Sequence, residues 1–206
     1  MIVRRRKHFD RIRNARQGLT LIEILITVAI LGILAATIIP QFGAAAPDQV
    51  RGAAQIIASD LDYARSLAIS NNSQYEITFQ PSRNAYVLEH SGTNTQLDDL
   101  PDNAFRKPSD DTSSLIVALD EFPQVGTSVS IVAVLTDESS PESVSSIEFD
   151  RLGQTTREQP TIIWLSSQAG AEDIYLPITV NPITGLATIG DFTTTAPASS
   201  GSSGSS

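Results

Sequence analysis

Residues 16–23 read Arg16-Gln17-Gly18-Leu19-Thr20-Leu21-Ile22-Glu23, and an apolar run continues from there to Ile39. Glu23 is the one charged residue between Leu19 and Ile39. As a helix, this segment would be about 32 Å long, enough to cross the roughly 30 Å hydrocarbon core of a bilayer. A carboxylate costs about 2.5–3.5 kcal/mol at the centre of such a helix and less near its end. A plain membrane anchor would not need Glu23, so this residue points to a function.

The charge of the chain is divided between its two ends. Residues 1–18 contain seven Lys or Arg and one acid, whereas the whole chain of 206 residues has a formal net charge of −9. The basic end should stay in the cytoplasm, and the acidic body should lie across the membrane. An acidic body repels nucleic-acid phosphate, so no nucleic acid is expected as a partner. The chain has no cysteine, which excludes disulfides, a thiol nucleophile and cysteine metal sites.

Two simpler interpretations of the N-terminal segment remain open. A cleaved secretory signal needs a basic start, an apolar core of about 7–15 residues and a small-residue cleavage site. Residues 44–46 are alanines, but the apolar run is longer than such a core, contains Glu23, and would place Pro47 directly after the cut. An uncleaved signal anchor would explain everything except Glu23 and the Gly18 boundary. Glu23 would then be a tolerated acid that reaches the lipid headgroups.

The segment from Gly18 through Glu23, with the apolar run to Ile39 and Pro40 after it, resembles the N-terminal signature of type IV pilins and pseudopilins. The resemblance implies that a prepilin peptidase cuts between Gly18 and Leu19 and methylates the new N-terminus. Leu19 stands where Phe or Met is more usual in that family. Glu23 falls on the family's acidic fifth position, and Pro40 falls on its helix-kinking proline.

The physical chemistry of Glu23 agrees with this resemblance. Cleavage after Gly18 would remove the basic leader and create one amine at Leu19. In a filament, Glu23 could pair with the Leu19 amine of a neighbouring subunit. That pairing would offset the cost of burying the acid and fix the axial register. The position of Glu23 in the first helical turn also favours an anion, because the helix dipole is positive there.

The rest of the chain is expected to form a second helix, a β region and a tail. Pro40 should interrupt the helix, residues 44–47 should form a hinge, and Asp48 should cap an amphipathic helix that stops near residues 71–72. The tail from Thr193 is rich in Thr, Ser and Gly and is expected to be disordered. Short β runs fill the region between: Tyr75–Phe79, Ala85–Glu89, Leu115–Leu119, Val129–Leu135, Ser146–Phe149, Thr161–Ser166, Ile174–Val180 and Gly185–Ile189.

Turn residues connect these runs. Residues 81–84 and 181–185 should each form a tight turn, and residues 91–114 a long polar loop. The expected fold class is α+β, a pilin-like fold in which a long N-terminal helix with a membrane-spanning first half packs on an antiparallel β-sheet domain. Its expected parts are a leader (1–18), a transmembrane half-helix (19–39), an amphipathic half-helix (40–72), a periplasmic β domain (73–192) and a tail (193–206).

Three later stretches also resemble the minor pseudopilin H (GspH/FimT-like) subfamily. They are Ala54–Phe79, which contains Ala58–Ser70, and then Ile147–Gly153 and Asn181–Ile189. These motifs are less specific than the N-terminal signature. Leu186 stands where that subfamily commonly has Arg.

Nothing in the sequence predicts an active site. His90 is one of two histidines, and with Ser91 it is interpreted as a surface pair. Trp164 lies on a hydrophobic strand and is expected in the core. Carboxylates cluster in the long loop and could bind Ca²⁺, but their spacing matches no EF-hand, so no metal ligands are assigned; they are Asp98, Asp99, Asp102, Asp110 and Asp111. No cofactor and no catalytic residue are expected.

The resemblance implies a non-enzymatic structural subunit, a minor pseudopilin of a type II secretion system. Its expected partners are other pseudopilins or pilins, prepilin peptidase, the inner-membrane assembly platform and membrane lipid. Its expected location is the bacterial inner membrane, as a single-pass protein with a cytoplasmic N-terminus and a periplasmic C-terminal domain. The alternatives are a minor type IV pilin involved in pilus assembly, adhesion or DNA uptake, and a membrane-anchored periplasmic module that does not polymerise.

Overall fold

The computed structural model describes residues 20–38, 41–101, 111–123, 125, 128–169 and 172–198. The predicted processing residues Gly18 and Leu19 and the predicted kink at Pro40 lie outside these ranges. The chain divides into two compact units, Met1–Phe42 and Gly43–Ser206.

Helix α1 runs from Leu21 to Ile38 and carries Glu23 in its first turn. Eight large apolar side chains between Leu21 and Leu31 project from it, and all eight are exposed. In the part of the chain that the structure describes, no helix combines the length and the apolar content needed to cross a membrane. The membrane-spanning segment at 19–39 therefore stays a prediction.

Helix α2 runs from Gln41 to Ser70 and contains Pro47. The predicted hinge at 44–47 and the predicted cap at Asp48 are therefore wrong. Pro47 has no amide hydrogen, so the helix loses one backbone hydrogen bond there. The helix continues because its buried face already begins at Ala46 and Val50, and tertiary packing contributes most of the stability of such a helix.

The C-terminus of α2 ends where the sequence indicated. Asn72 adopts a left-handed conformation with φ of 48°. The Ser73 amide donates to the Ala68 carbonyl at 3.1 Å, and the Asn72 amide donates to Ile69 at 3.3 Å. This pair of bonds is a Schellman cap, in which Asn takes the place usually held by Gly.

Within the described residues eight strands follow, and each corresponds to one predicted β run. Their bounds are β1 Tyr75–Gln80, β2 Ala85–His90, β3 Ser114–Ala118, β4 Ser130–Thr136, β5 Ser146–Phe149, β6 Thr161–Ala169, β7 Glu172–Val180 and β8 Ala187–Ile189. They form two four-stranded sheets, which we name sheet A (order β3-β2-β1-β5) and sheet B (order β4-β6-β7-β8). Every pairing is antiparallel. A helix packed on antiparallel sheets confirms the predicted α+β class.

The two sheets and α2 share one hydrophobic core. The face of α2 that enters it repeats at three- and four-residue steps, as predicted from the sequence. That face is made of Val50, Ala53, Ala54, Ile57, Leu61, Ala64, Leu67 and Ala68. In β1, buried and half-buried residues alternate, so one face of sheet A points to the core.

Asn84 connects the two sheets. It follows the short 3-10 turn Pro81–Arg83 and has a left-handed φ of 50°. Its side-chain amide donates to the Val129 carbonyl at 2.7 Å, and its side-chain oxygen accepts from the Ile131 amide at 2.9 Å. The side chain thus pairs with one carbonyl just before β4 and one amide within it.

Two expectations about the end of the chain and the core need correction. Thr193, placed at the start of a disordered tail, forms an antiparallel bridge with Tyr175, with hydrogen bonds of 2.8 and 2.9 Å. Residues 199–206 lie outside the described residues. Trp164 is half-buried, while its neighbours Ile163 and Leu165 are buried. It therefore lies on the face of sheet B that points away from the core.

Candidate functional site

The backbone amide of Glu23 is hydrogen-bonded to Thr20 at the N-terminus of α1. Its amide donates to the Thr20 carbonyl at 3.1 Å and to the Thr20 hydroxyl at 3.3 Å. Thr20 and Glu23 are spaced as in a capping box, and the Thr20 hydroxyl makes its half of that motif. The Glu23 carboxylate is exposed and has no hydrogen bond or ion pair within the described residues. It is therefore available to a group from outside this part of the chain.

A second polar site lies where β1 and β2 meet the C-terminus of α2. Nε2 of His90 is 2.7 Å from the Ser73 hydroxyl, and Nδ1 is 2.7 Å from Oδ1 of Asp98. The side chain of His90 is 0% exposed and that of Asp98 is 47% exposed. The Tyr75 ring packs edge-on against the imidazole, with ring centroids 5.0 Å apart.

The hydrogen-bond partners of His90 assign its protons. An ionised carboxylate can only accept, so Nδ1 carries a hydrogen and donates it to Asp98. In the neutral imidazole, Nε2 is then the acceptor and the Ser73 hydroxyl donates to it. The imidazole therefore links Ser73, just after α2, to Asp98 in the loop after β2, and its burial keeps it from contact with any substrate.

Hairpin register explains why these side chains meet. Tyr75 pairs with His90 across β1 and β2. Ser73 is two residues before Tyr75, so it lies on the same face and diagonal to His90. Asp98 follows the 3-10 turn Thr95–Leu97, which begins at Asn94, whose side chain accepts from the Gln96 amide at 3.2 Å. The turn brings the loop back to the end of β2.

Gly92 packs closely against Ser73 and His90. A Cβ at this position would lie 2.2 Å from the Ser73 hydroxyl oxygen and 2.8 Å from Nε2 of His90. Ser73 and Gly92 also line a cavity of about 380 Å³. The other residues lining it are Asn72, Gln74, Thr93, Asp150 and Arg151. Ser73 therefore borders the cavity and is half-buried, whereas the imidazole of His90 is fully covered.

The sequence interpretation of His90 is wrong in two respects. Its imidazole is buried, and its hydroxyl partner is Ser73 rather than Ser91. The Ser91 hydroxyl donates to Glu148 on β5 at 2.8 Å instead. The predicted hairpin could have indicated the correct partner. Two β runs joined by a short turn place Tyr75 opposite His90, and Ser73 then lies diagonal to His90.

The acidic loop shows no metal centre in the residues that can be described. Asp98 binds His90, Asp99 accepts from the Thr112 hydroxyl at 2.5 Å, and Asp111 accepts from the Ser113 amide at 3.1 Å. Asp102 and Asp110 lie outside the described residues. Within the described ranges, no group of three or more His, Cys, Asp or Glu side chains could hold a metal ion.

One carboxyl is buried between α2 and sheet A. Asp60 accepts a 2.5 Å hydrogen bond from the Tyr86 hydroxyl, and both residues are buried. Burial raises the pKa of the Asp60 carboxyl above its usual value, although the hydrogen bond from Tyr86 acts in the opposite direction. Burial, together with the nearby carboxyl, raises the pKa of Tyr86 well above its usual value. This buried pair joins α2 to β2 of sheet A.

Residues 13–39 match the family described as the prokaryotic N-terminal methylation motif. The matched range contains Gly18, Leu19 and Glu23 and ends just before Pro40. Over these residues, the match confirms the resemblance inferred from the sequence. No characterised protein matches the chain in a comparison of sequences.

Two solved structures resemble the fold. The crystal structure of the type IV minor pilin FimU from Pseudomonas aeruginosa is 15% identical, covers 70% of this chain and 90% of its own, and has a TM-score of 0.44. The structure of the minor pseudopilin EpsH from the type 2 secretion system of Vibrio cholerae is 12% identical, covers 68% and 95%, and has a TM-score of 0.44. At these values, neither likeness carries an argument about function.

Proposed function

We propose that this chain, whose N-terminal segment carries the prokaryotic methylation motif of type IV pilin-like proteins, is a minor structural subunit of a pilin-like filament. One observation carries the proposal: the motif matches residues 13–39, in register with an apolar helix whose first turn holds a single acid, Glu23. In this proposal the subunit contributes contacts to an assembly and needs no active site for that role.

Glu23 supplies the assembly contact in this proposal. Its amide is already capped by Thr20, and its carboxylate is exposed without a partner in the described residues. Cleavage after Gly18 would give each subunit a free amine at Leu19. A buried carboxylate is tolerated when it is paired, so an amine from a neighbouring subunit would stabilise the helix at one axial position only.

The apolar surface of α1 fits an environment without water. Large aliphatic side chains are exposed around the helix, among them Leu21 at 78%, Ile22 at 66% and Leu31 at 63%. An apolar helix surface of this kind is expected to be covered, because contiguous exposed apolar patches mark sites of contact with proteins or membranes. We propose that lipid covers it before assembly and that the helices of neighbouring subunits cover it afterwards.

At the finer level, we propose a minor pseudopilin of a type II secretion system, anchored in the bacterial inner membrane with its C-terminal unit in the periplasm. Prepilin peptidase, the inner-membrane assembly platform and other pseudopilins are the proposed partners. The resemblance of Ala58–Ser70 and Asn181–Ile189 to the minor pseudopilin H subfamily supports the assignment to a type II secretion system. The scarcity of Lys and Arg after Arg157 speaks against DNA uptake, one role of the alternative, a minor type IV pilin.

N-terminal sequencing of the protein from native membranes tests the processing step. We expect methylated Leu19 as the first residue. A mature chain that begins at any other residue, or that retains Met1, would contradict the proposal.

Assembly is tested with Glu23→Gln, which removes the charge and keeps the shape of the side chain. We expect the variant to be inserted and cleaved normally, and to be lost from sheared or cross-linked filaments. Glu89→Gln is the matched control, because Glu89 is an exposed acid on β2, far along the chain from the motif. Equal incorporation of both variants would favour the anchored module that does not polymerise.

A deletion in the native organism separates the two filament types. Loss of a secreted protein from the medium, with pili unchanged, would support the secretion pseudopilus. Loss of pili or of pilus-dependent movement, with secretion unchanged, would support the minor pilin.

A further inference from the structure

We propose that an exposed apolar surface at the C-terminal end of α2 is the docking site for another subunit of the filament, one that presents an apolar side chain beside a carboxylate. The inference rests on the proposed role in a filament and names a contact for that role. We call this surface the turn patch. It consists of Ile69, Leu152, Ile183 and Leu186, with Arg151 at its edge.

Exposure of large apolar side chains sets the turn patch apart. In the unit Gly43–Ser206, six large aliphatic side chains are exposed among the described residues, and four of them belong to the patch. Leu152 is 73% exposed and Ile183 is 80% exposed, the highest values of the six. The other two, Ile116 and Val132, lie on separate strands, β3 and β4. Single exposed aliphatic residues are ordinary, whereas several together mark a contact surface.

The backbone brings these side chains to one place. A side chain at Gly185 would collide with the carbonyl of Gly153, so the two turns that contain these glycines touch. Leu152 precedes the first glycine and Leu186 follows the second. On the last turn of α2, Cδ1 of Ile69 lies 2.6 Å from the position that a Cβ at Gly153 would occupy. Helix α2 and both turns therefore contribute to one surface.

The two most exposed side chains are carried by ordered turns. The Leu152 amide donates to Oδ1 of Asp150 at 2.8 Å, and the Ile183 amide donates to the side-chain oxygen of Asn181 at 3.0 Å. Each turn is therefore closed by its own side chain before any partner arrives. A surface that is already ordered loses less conformational entropy on binding.

Charge indicates the chemistry of the partner. Arg151 is exposed and makes no hydrogen bond or ion pair within the described residues. Both oxygens of the neighbouring Asp150 are already occupied, by the Leu152 amide and by Nε2 of Gln154. A free guanidinium beside apolar side chains favours a carboxylate on the partner. The net charge of −9 on the whole chain opposes nucleic acid as the occupant.

The shape of the surface favours a protein partner over lipid. A cavity of about 340 Å³ is lined by Ile183 together with Arg157, and the cavity of about 380 Å³ is lined by Arg151. Asp150 borders both, so they flank the turn that carries Leu152. Side chains of a partner can fill such recesses, as anchor residues do at protein interfaces. A symmetric contact of two copies would instead place two Arg151 guanidiniums in the same interface.

The test is photo-cross-linking of the full chain in cells that assemble the filament. The photoreactive amino acid p-benzoylphenylalanine is incorporated at Thr184, an exposed residue of the turn patch region that is not one of its apolar members. After irradiation, filaments are sheared and purified. We expect a cross-linked peptide from a different protein that carries the N-terminal methylation motif, identified by tandem mass spectrometry. Ser82, an exposed serine at the opposite end of β1, is the control position and should not yield this peptide.

Variants of the unchanged surface then identify the contact. Combining Leu152→Ser with Ile183→Ser should lower the yield of the Thr184 cross-link at least tenfold, whereas Ile116→Thr, at an exposed isoleucine outside the patch, should leave it unchanged. Arg151→Glu should lower the yield, and Arg83→Glu, at another exposed arginine, should not. Equal yields in the patch variants and their controls would overturn the proposal.

Incorporation into filaments is scored separately by immunoblot, so that the two proposals fail in different ways. A chain that is incorporated but gives no subunit cross-link from Thr184 would overturn this inference and leave the proposed function in place. A chain absent from filaments would overturn both. Cross-links from Thr184 to lipid, to nucleic acid, to a second copy or within the same chain would overturn the inference, whether or not every variant folds.

Discussion

A Cβ atom added at Gly185 would lie 2.0 Å from the carbonyl oxygen of Gly153. The two glycines belong to different turns, and both have positive φ, 65° for Gly185 and 81° for Gly153. The Nε of Arg65 on α2 donates to the same Gly153 carbonyl at 3.2 Å. The Thr155 amide also donates to the Pro182 carbonyl at 2.8 Å. Helix α2 and two distant turns therefore meet at one point that leaves no room for a side chain.

Gly185→Ala is expected to destabilise the protein. A non-glycine residue in the left-handed region costs about 1–2 kcal/mol, and here the new carbon must also displace the backbone of Gly153. Urea unfolding followed by circular dichroism would measure the loss. Gly52→Ala is the control, because a Cβ there meets nothing within 4 Å. That helical substitution should stabilise by about 0.5–1 kcal/mol; a similar loss in both variants would contradict the packing described.

Arg65→Ala is expected to cost about 1–3 kcal/mol, because the Gly153 carbonyl loses a charged donor and the turn loses its support from α2. Arg83→Ala is the matched control. Its guanidinium is exposed and lies 3.4 Å from the side-chain oxygen of Gln80, so its loss should change the free energy of unfolding by less than about 0.5 kcal/mol. The same urea titration compares the two, and equal losses would contradict this role for Arg65.

Stability should decrease with rising pH because of Asp60. Burial raises the pKa of the folded-state carboxyl above 3.8, the value expected when it is unfolded. The folded state therefore holds the proton more tightly. Its stabilising contribution is complete below pH 3.8, declines between 3.8 and the folded-state pKa, and is absent above that. Asp60→Asn should remove this component of the pH profile.

Two variants test that assignment. Tyr86→Phe removes the hydrogen bond that lowers the pKa of Asp60, so the decline should extend to higher pH, with a further loss of about 1–3 kcal/mol from the unpaired carboxyl. Asp62→Asn is the control, since Asp62 is exposed on the same helix. Thermal unfolding at a series of pH values makes the comparison. The same flattening of the profile in Asp62→Asn would show that Asp60 is not its source.

Asn84 and Asn72 form a matched pair for a further comparison. Both have left-handed φ, 50° and 48°, so alanine strains both positions similarly. Only Asn84 bridges to the main chain of Val129 and Ile131. Asn84→Ala should therefore cost about 1–3 kcal/mol more than Asn72→Ala in chemical unfolding. Equal costs would mean that the bridge between the sheets contributes nothing beyond local conformation.

Local patterns in the sequence predicted most of this fold. Every β run was found because alternation and turn residues are local signals, and Asn72 ended α2 as expected. The hinge at 44–47 was wrong because Pro47 reads as a helix breaker, whereas burial of Ala46 and Val50 continues the helix. Burial of this kind depends on strands that come later in the chain, so local propensity could not reveal it.

The two sites differ in how far the sequence could reveal them. Glu23 stood out because a single acid in an apolar run is anomalous by itself. The Ser73, His90 and Asp98 cluster has no spacing signature, because hairpin register and a loop turn bring its members together. The pairing of β1 with β2 was predicted, but the return of the loop that carries Asp98 was not. Adjacency in the sequence therefore suggested Ser91 as the partner of His90, whereas the hydroxyl that it contacts is that of Ser73.

The order of strands in sheet A has a consequence during synthesis. Strand β1 can pair with β2 soon after both are synthesised. Its other neighbour is β5, so Tyr75 cannot pair with Phe149 until Phe149 has left the ribosome. Until then, one side of β1 presents unpaired amides and carbonyls, and such an edge is a template for aggregation. A nascent or truncated polypeptide that stops before Ser146 should therefore be prone to aggregation, even though its β1–β2 hairpin is complete.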